Sequence, residues 1–301
     1  MTPHGLRRFL WVPGSEHWGE DAMRCRTAAL VAVVGLSCAC ASNKPITSVH
    51  NAAAPAAEAS VDFDALLVRL DHLEKLPATT PILIDNPYGD VRLRFGGYEN
   101  TVELHVTEQR PDATLPTFEY RHQLESGSYR IAPTLPTGVA LQTHQRTDLV
   151  VYVPQGHPVQ VSTVRGMVES RGLKSDLLIR SEAGNILLRG TLGLLDVQTD
   201  AGTIEVALED APVGSSQRLV TTTGLITAAL ADSSNVDVTL STSAPMTTEF
   251  SLQIDHLPGQ EPNKRGRAQI GQPSARLQIE SKRGEIRVLR RAAFTPVASS
   301  S

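Results

Sequence analysis

Seven segments of this chain place apolar residues at one fixed set of distances from a central position, and in six of them that centre is glycine. Around Gly184 the positions −7, −5 and −3 hold Leu177, Ile179 and Ser181, and +2 and +4 hold Ile186 and Leu188. Gly202 repeats the set with Leu195, Val197, Thr199, Ile204 and Val206, and Gly284 with Leu277, Ile279, Ser281, Ile286 and Val288. Gly89 has Ile82, Ile84, Asn86, Val91 and Leu93, Gly166 has Val159, Val161, Thr163 and Val168, and Gly224 has Leu219, Thr221, Ile226 and Ala228. A seventh copy keeps Val238, Leu240 and Thr242 but carries Pro245 at the centre.

Residues two apart share one face of a strand, so each copy reads as strand, turn, strand with a single apolar face. The glycine is read as supplying a turn conformation that a side chain resists, and the Ser, Thr or Asn at −3 as bonding the backbone of that turn. Gly166, Gly184 and Gly202 are 18 residues apart and Gly224 follows after 22. A period near 20 is that of a solenoid, in which no coil buries its face alone and each stacks on its neighbours. Between Pro154 and Glu249 there is no Phe, Tyr or Trp, which suits a narrow core of aliphatic ladders. The expected fold is all-β, a β-solenoid or β-helix-like repeat domain over residues 78–290. Hairpins in an antiparallel sandwich compete with it, but identical offsets in successive copies favour parallel stacking.

Several runs together carry a family resemblance: Asp148-Leu-Val-Val-Tyr-Val-Pro154, then Val159, Val161, Thr163 and Gly166, then Ser181-Glu-Ala-Gly184-Asn-Ile186 and Thr199-Asp-Ala-Gly202-Thr-Ile204. They resemble the bacterial adhesin-like family of unknown function DUF4097, well over 148–288 and more weakly over 81–147. The resemblance implies a repeat-built, β-solenoid-like domain in an exported or envelope-attached protein. Its motifs are structural and imply no catalytic residue.

The first 60 residues read as an address and a spacer. Met23-Arg-Cys-Arg precedes an apolar run from Thr27 to Leu36, and small residues with Cys38 and Cys40 follow, the layout of a secretory signal over 23–40. The run is shorter than the roughly 20 residues of a membrane span. Cys40 and Cys38 are candidate lipidation sites of a lipobox-like exit, so a membrane is an expected partner through an N-terminal lipid. Ordinary cleavage after Ala41 is the competing reading. Residues 1–22 carry Glu16, Glu20 and Asp21 where a signal should be basic, which points to a start at Met23 or to a disordered extension. Residues 41–60, rich in Ala, Ser and Pro, suit a flexible tether. Phe63, Leu66, Leu67, Leu70 and Leu73 then fall on one helical stripe, with Asp62 as N-cap and Pro77 as stop. They predict a short amphipathic helix over 61–77 that caps the first coil. Residues 291–301 read as a disordered tail.

Chemistry-bearing motifs are sparse. The cysteines lie at 25, 38 and 40, which excludes a disulfide framework or a Cys-based zinc site downstream. Nine histidines include no HExxH pair, and no phosphate-binding loop or G-x-S-x-G elbow occurs, so no metal or cofactor is expected. With 28 basic against 32 acidic residues, no nucleic-acid partner is expected either. Two candidates remain. Asp90, Glu182, Asp200 and Glu285 flank the central glycines, where two acids about 5–9 Å apart could act on a glycan; solvated turn residues are the plainer reading. Lys264, Arg265 and Arg267 sit in a stretch (256–274) read as a loop able to contact an acidic surface. The expected function is a non-enzymatic, outer-membrane lipoprotein making structural or adhesive contacts with a protein or glycan. A carbohydrate-active enzyme or glycan-binding module, or an accessory of an envelope signalling system, is the alternative.

Overall fold

The computed structural model describes residues 66–209 and 211–291, all within one unit spanning Ala59–Ser301. The signal segment with Cys38 and Cys40, the tether, the start of the expected helix and residues 292–301 lie outside the described residues.

The described chain opens with β1 (Leu67–Lys75) and a first coil of β2 (Ile82–Asn86) and β3 (Val91–Phe95). An excursion follows: β4 (Thr101–Gln109), β5 (Glu119–Glu125), β6 (Ser128–Thr134) and β7 (Arg146–Val153). Four coils come next: β8 (Val159–Thr163) with β9 (Val168–Arg171), β10 (Leu177–Ser181) with β11 (Ile186–Thr191), β12 (Leu195–Thr199) with β13 (Ile204–Leu208), and β14 (Ser216–Thr221) with β15 (Ile226–Leu230). The proline-centred copy forms β16 (Val236–Thr242) and β17 (Met246–Thr248), a hairpin arm adds β18 (Gln253–His256) and β19 (Lys264–Ile270), and the chain returns as β20 (Ala275–Ser281) and β21 (Ile286–Arg290).

The strand before each centre joins one sheet and the strand after it joins the other. The first sheet runs β18-β19-β16-β20-β14-β12-β10-β8-β2-β6-β5 and the second β1-β4-β7-β3-β9-β11-β13-β15-β21-β17. From β6 to β16 and from β7 to β17 every pairing is parallel, while β1, β4, β5, β18 and β19 add antiparallel strands at the ends. The copies therefore stack in parallel, as the identical offsets favoured, and antiparallel pairing is confined to the rims.

Register makes the core. Ile84, Val161, Ile179, Val197, Leu219, Ile279 and Leu240 stand opposite one another from strand to strand, and Val91, Val168, Ile186, Ile204, Ile226 and Ile286 do the same in the facing sheet. All of these are buried. Burying each is worth about 1.5–3 kcal/mol against leaving it exposed. Space, however, does not follow sequence: β20–β21 is inserted between β14–β15 and β16–β17, so the last coil of the chain is not the last of the stack.

The central glycines lie on one line, for a different reason from the one the sequence suggests. None of Gly89, Gly166, Gly184, Gly202, Gly224 and Gly284 has the positive φ that side chains resist. The constraint is close approach: a Cβ on Gly202 would stand 2.0 Å from the carbonyl oxygen of Gly184, and one on Gly184 the same distance from that of Gly166. Beside this line the −3 residues form a second ladder. Thr199 Oγ1 accepts from Gly202 N–H (3.2 Å) and donates to Gly184 O (3.3 Å), and Thr221 and Ser281 do the same for Gly224 and Gly284. Asn86 does so in the first coil, accepting from Tyr88 N–H and donating to Thr147 O.

Two sequence expectations are corrected. The described part of the 61–77 helix is instead β1, an edge strand in continuous antiparallel register with β4 from Leu67↔Gln109 to Lys75↔Thr101. Among the described residues no element buries the outer leucines of the supposed helical stripe, since Leu67, Leu70 and Leu73 are 52%, 44% and 65% exposed. Pairing with β4 satisfies the backbone of both strands, and that overrides a weak local periodicity. The end of the solenoid is thus covered by antiparallel strands rather than by a helix. Likewise the stretch 256–274 is not an open loop: it contains β19, which pairs with β16 from Val236↔Ile270 to Thr242↔Lys264.

Candidate functional site

The outer faces of the two sheets differ in how their charges are used. On the β3–β9 face the arginines are consumed internally. Arg94 and Arg171 hold the buried Glu169 (Arg94 at 2.9 Å), and Arg92 and Arg146 hold Asp90 (3.4 and 3.1 Å). Burial works against a charge on Glu169, but Arg94 and then Arg171 outweigh it and keep the carboxyl below its ordinary range. In mid-face of the other sheet, Arg180 and Arg218 share Asp196 at 2.8 and 3.7 Å.

The far end of that sheet is different. Alternation along β16, β19 and β20 turns Val238, Leu240, Ala268, Leu277 and Ile279 inward, leaving Asp237, Thr239, Ser241, Arg265, Arg267, Arg276, Gln278 and Glu280 outward. Register sets them in rows: Arg267, Thr239 and Gln278 in one, Arg265, Ser241 and Glu280 in the next. Leu257, Gln260, Glu261 and Pro262 overhang these rows and close a groove with a cavity volume of about 550 Å³. An adjoining recess of about 920 Å³ shares Asp237, Thr239, Arg267 and Arg276 with it. The overhang is tied down, with Glu261 bound to Arg283 at 2.7 Å, Asn263 N–H donating to Ser243 Oγ (3.1 Å) and Lys264 Nζ to Ala244 O (2.6 Å).

Among the described residues none of Arg265, Arg267 and Arg276 makes an ion pair, although all three line one groove. A guanidinium presents a planar fork of donors that matches a carboxylate or sulfate in two places at once. Asp237 and Glu280 accept from hydroxyls, and Ser216, Thr239, Ser241 and Gln278 offer both donors and acceptors. Such a lining suits a polyhydroxylated ligand that also carries negative charge. It has no aromatic ring on which a neutral sugar could stack.

The other sequence candidates resolve as follows. Asp90 and Glu285 are engaged with arginines, Glu285 with Arg287 at 2.8 Å and with Thr247 at 3.3 Å; Arg287 holds its carboxyl below the usual range. Glu182 and Asp200 stand at exposed turn positions. His105 faces outward on β4 and meets Asp71 at 2.7 Å. His122 lies on β5 with its ring 3.9 Å from that of His72. Among the described residues no cluster of His, Cys, Asp and Glu could hold a metal ion, and no helix is long and apolar enough to cross a membrane. Arg276 was missed from sequence; its signal is the outward place beside Leu277 in the Gly284 copy.

No family model matches the chain, and no curated protein matches it either. Among solved structures it is similar to a putative cell adhesion protein from Clostridium sporogenes, at 13% identity and a TM-score of 0.45, over 74% of this chain and 100% of that one. It is also similar to a putative adhesin from Bacteroides fragilis (10% identity, TM-score 0.38, 75% and 98% covered) and to a putative lipid binding protein from Parabacteroides distasonis (11%, 0.34, 73% and 96%).

Proposed function

We propose that this protein is a non-enzymatic binding module of the bacterial cell envelope, lipidated at Cys40 or Cys38, which uses the arginine-lined groove to hold an acidic glycan. The observation that carries this reading is the gathering of Arg265, Arg267 and Arg276 around one groove without ionic partners among the described residues, whereas the arginines on the β3–β9 face of the other sheet are paired. Desolvating a guanidinium is repaid when it meets a carboxylate in bidentate geometry, and that repayment is here left for a ligand. Of the acids beside the central glycines, Asp90 and Glu285 are bound to arginines, while Glu182 and Asp200 stand at exposed turn positions. The signal layout and tether of the sequence support a domain held outside the cytoplasm, a lipid's reach from a membrane surface, with the outer membrane as destination.

The test is calorimetric titration with uronate oligosaccharides and their uncharged counterparts. Charge-assisted hydrogen bonds are worth about 1.5–3 kcal/mol each, so Arg267→Ala with Arg276→Ala should weaken binding at least about tenfold. Equal affinity for neutral and acidic oligosaccharides, or an unaffected double variant, would refute the ligand class; shortened oligosaccharides would establish an enzyme instead. Palmitate labelling that persists when Cys38 and Cys40 are both replaced by Ser would refute the anchor.

A further inference from the structure

The outer edge of β1 pairs with nothing among the described residues, and it is long, free of proline and lined by exposed leucines. Natural edge strands of this kind are normally blunted, because their open amides invite a further strand. We propose that β1 is an interface with a second copy of this chain, paired antiparallel about a two-fold axis at Leu70.

Backbone parity limits the registers. Leu66 O accepts from Arg110 N–H and Leu76 N–H donates to Asn100 O, and the ladder between them is unbroken, so the even-numbered residues of β1 turn their amides toward β4. Leu67, Arg69, Asp71, Leu73 and Lys75 therefore offer theirs to the free edge. Two copies exchange hydrogen bonds only if odd residues stand opposite odd ones. A two-fold at Asp71 would set Asp71 against Asp71. A two-fold at Leu70 sets Arg69 against Asp71 twice and Leu67 against Leu73 twice on one face. On the other it sets Leu70 against Leu70 and Val68 against His72. About that residue the strand is complementary in charge at 69 and 71 and apolar at 67, 70 and 73, which suits the self-complementarity of an isologous contact. Among the described residues Arg69 makes no ion pair, and Asp71, bound only to His105, keeps a side chain 74% exposed. The contact joins two ten-stranded sheets edge to edge.

A charge-swap experiment on the purified full-length protein reads this out by sedimentation velocity. Wild-type protein should show a concentration-dependent dimer. Arg69→Asp and Asp71→Arg each set like charges opposite one another twice, and should weaken self-association at least about tenfold. The first variant carries only acids at positions 69 and 71, and the second only arginines. Mixed in equal amounts, the two therefore restore opposite charges at both facing pairs and should recover the dimer as a heterodimer, an outcome that a misfolded variant cannot produce. A wild-type monomer at every concentration, single variants that dimerise like wild type, or single variants that stay monomeric when mixed would each overturn the proposal. Loss of glycan binding in the groove variants would leave these results unchanged.

Discussion

Replacing Gly202 by Ala tests the line of glycines directly. The new Cβ would lie 2.0 Å from Gly184 O, 2.6 Å from Gly184 C and 2.9 Å from Thr199 Oγ1, where ordinary contacts need more than 3.4 Å. The two closest atoms belong to the Gly184 backbone and not to a side-chain end that could swing aside, so the two coils must separate by more than an ångström at that corner. Overpacking of this kind costs about 1–3 kcal/mol. Separation also breaks the Thr199 Oγ1 to Gly184 O hydrogen bond between the coils, at about 0.5–1.5 kcal/mol. The expected loss is about 2–4 kcal/mol, a large part of the 5–15 kcal/mol typical of a folded domain. Gly214→Ala is the control: Gly214 has φ +76° and nothing within 4 Å of its absent Cβ. There only conformational strain is added, about 1–2 kcal/mol. Urea unfolding followed by far-ultraviolet circular dichroism should therefore rank Gly202→Ala as the more damaging. If the glycines served turn conformation the order would invert, and a Gly202→Ala variant within about 1 kcal/mol of wild type, on the order of ordinary surface substitutions, would refute the close-approach argument.

Substitutions at two further positions probe the polar framework. Thr199→Val keeps shape but leaves the buried Gly202 N–H and Gly184 O without their hydroxyl, and should cost about 1–3 kcal/mol in urea unfolding, whereas Thr199→Ser should be nearly silent because Ser181 and Ser281 fill the same place. Glu169 has its carboxyl held low in the folded state, so its stabilisation is present above the ordinary carboxylate pKa and is lost as pH falls through the lowered one. Glu169→Gln should accordingly destabilise by about 1–3 kcal/mol at neutral pH and by progressively less as acid protonates the carboxyl in the folded state; an equal gap in neutral and acid solution would show that the arginines contribute nothing ionic there.

The repeats were legible because burial on both sides of the turn imposes a strict period of two, and Val, Ile and Leu at fixed offsets carry it plainly. Their centres were also legible, though a glycine needed for closeness looks in sequence like one needed for φ. Residues 67–75 misled because Leu67, Leu70 and Leu73 face neither a core nor a single side, so their spacing carries no information about burial. β19 was hidden by its composition: Arg265 and Arg267 alternate with Gly266 and Ala268, which are inward but too small to give a hydrophobic signal. Of the groove, its two β19 arginines were visible as a basic cluster. Arg276 reached them only through the β16–β20 pairing, which no linear reading of the chain supplies.

The insertion of β20–β21 between β14–β15 and β16–β17 separates the order of synthesis from the order of assembly. A chain that emerges amino-terminus first can stack its coils one by one only as far as β15. The next segment to appear, β16–β17 with its hairpin arm, has no seat until residues 275–290 have arrived to form one. The groove borne on β16, β19 and β20 is therefore the last part of the molecule to exist. A chain cut short after β19 would lose β20 and β21 from the interior of the stack and leave the arginines of β19 without a surface to line.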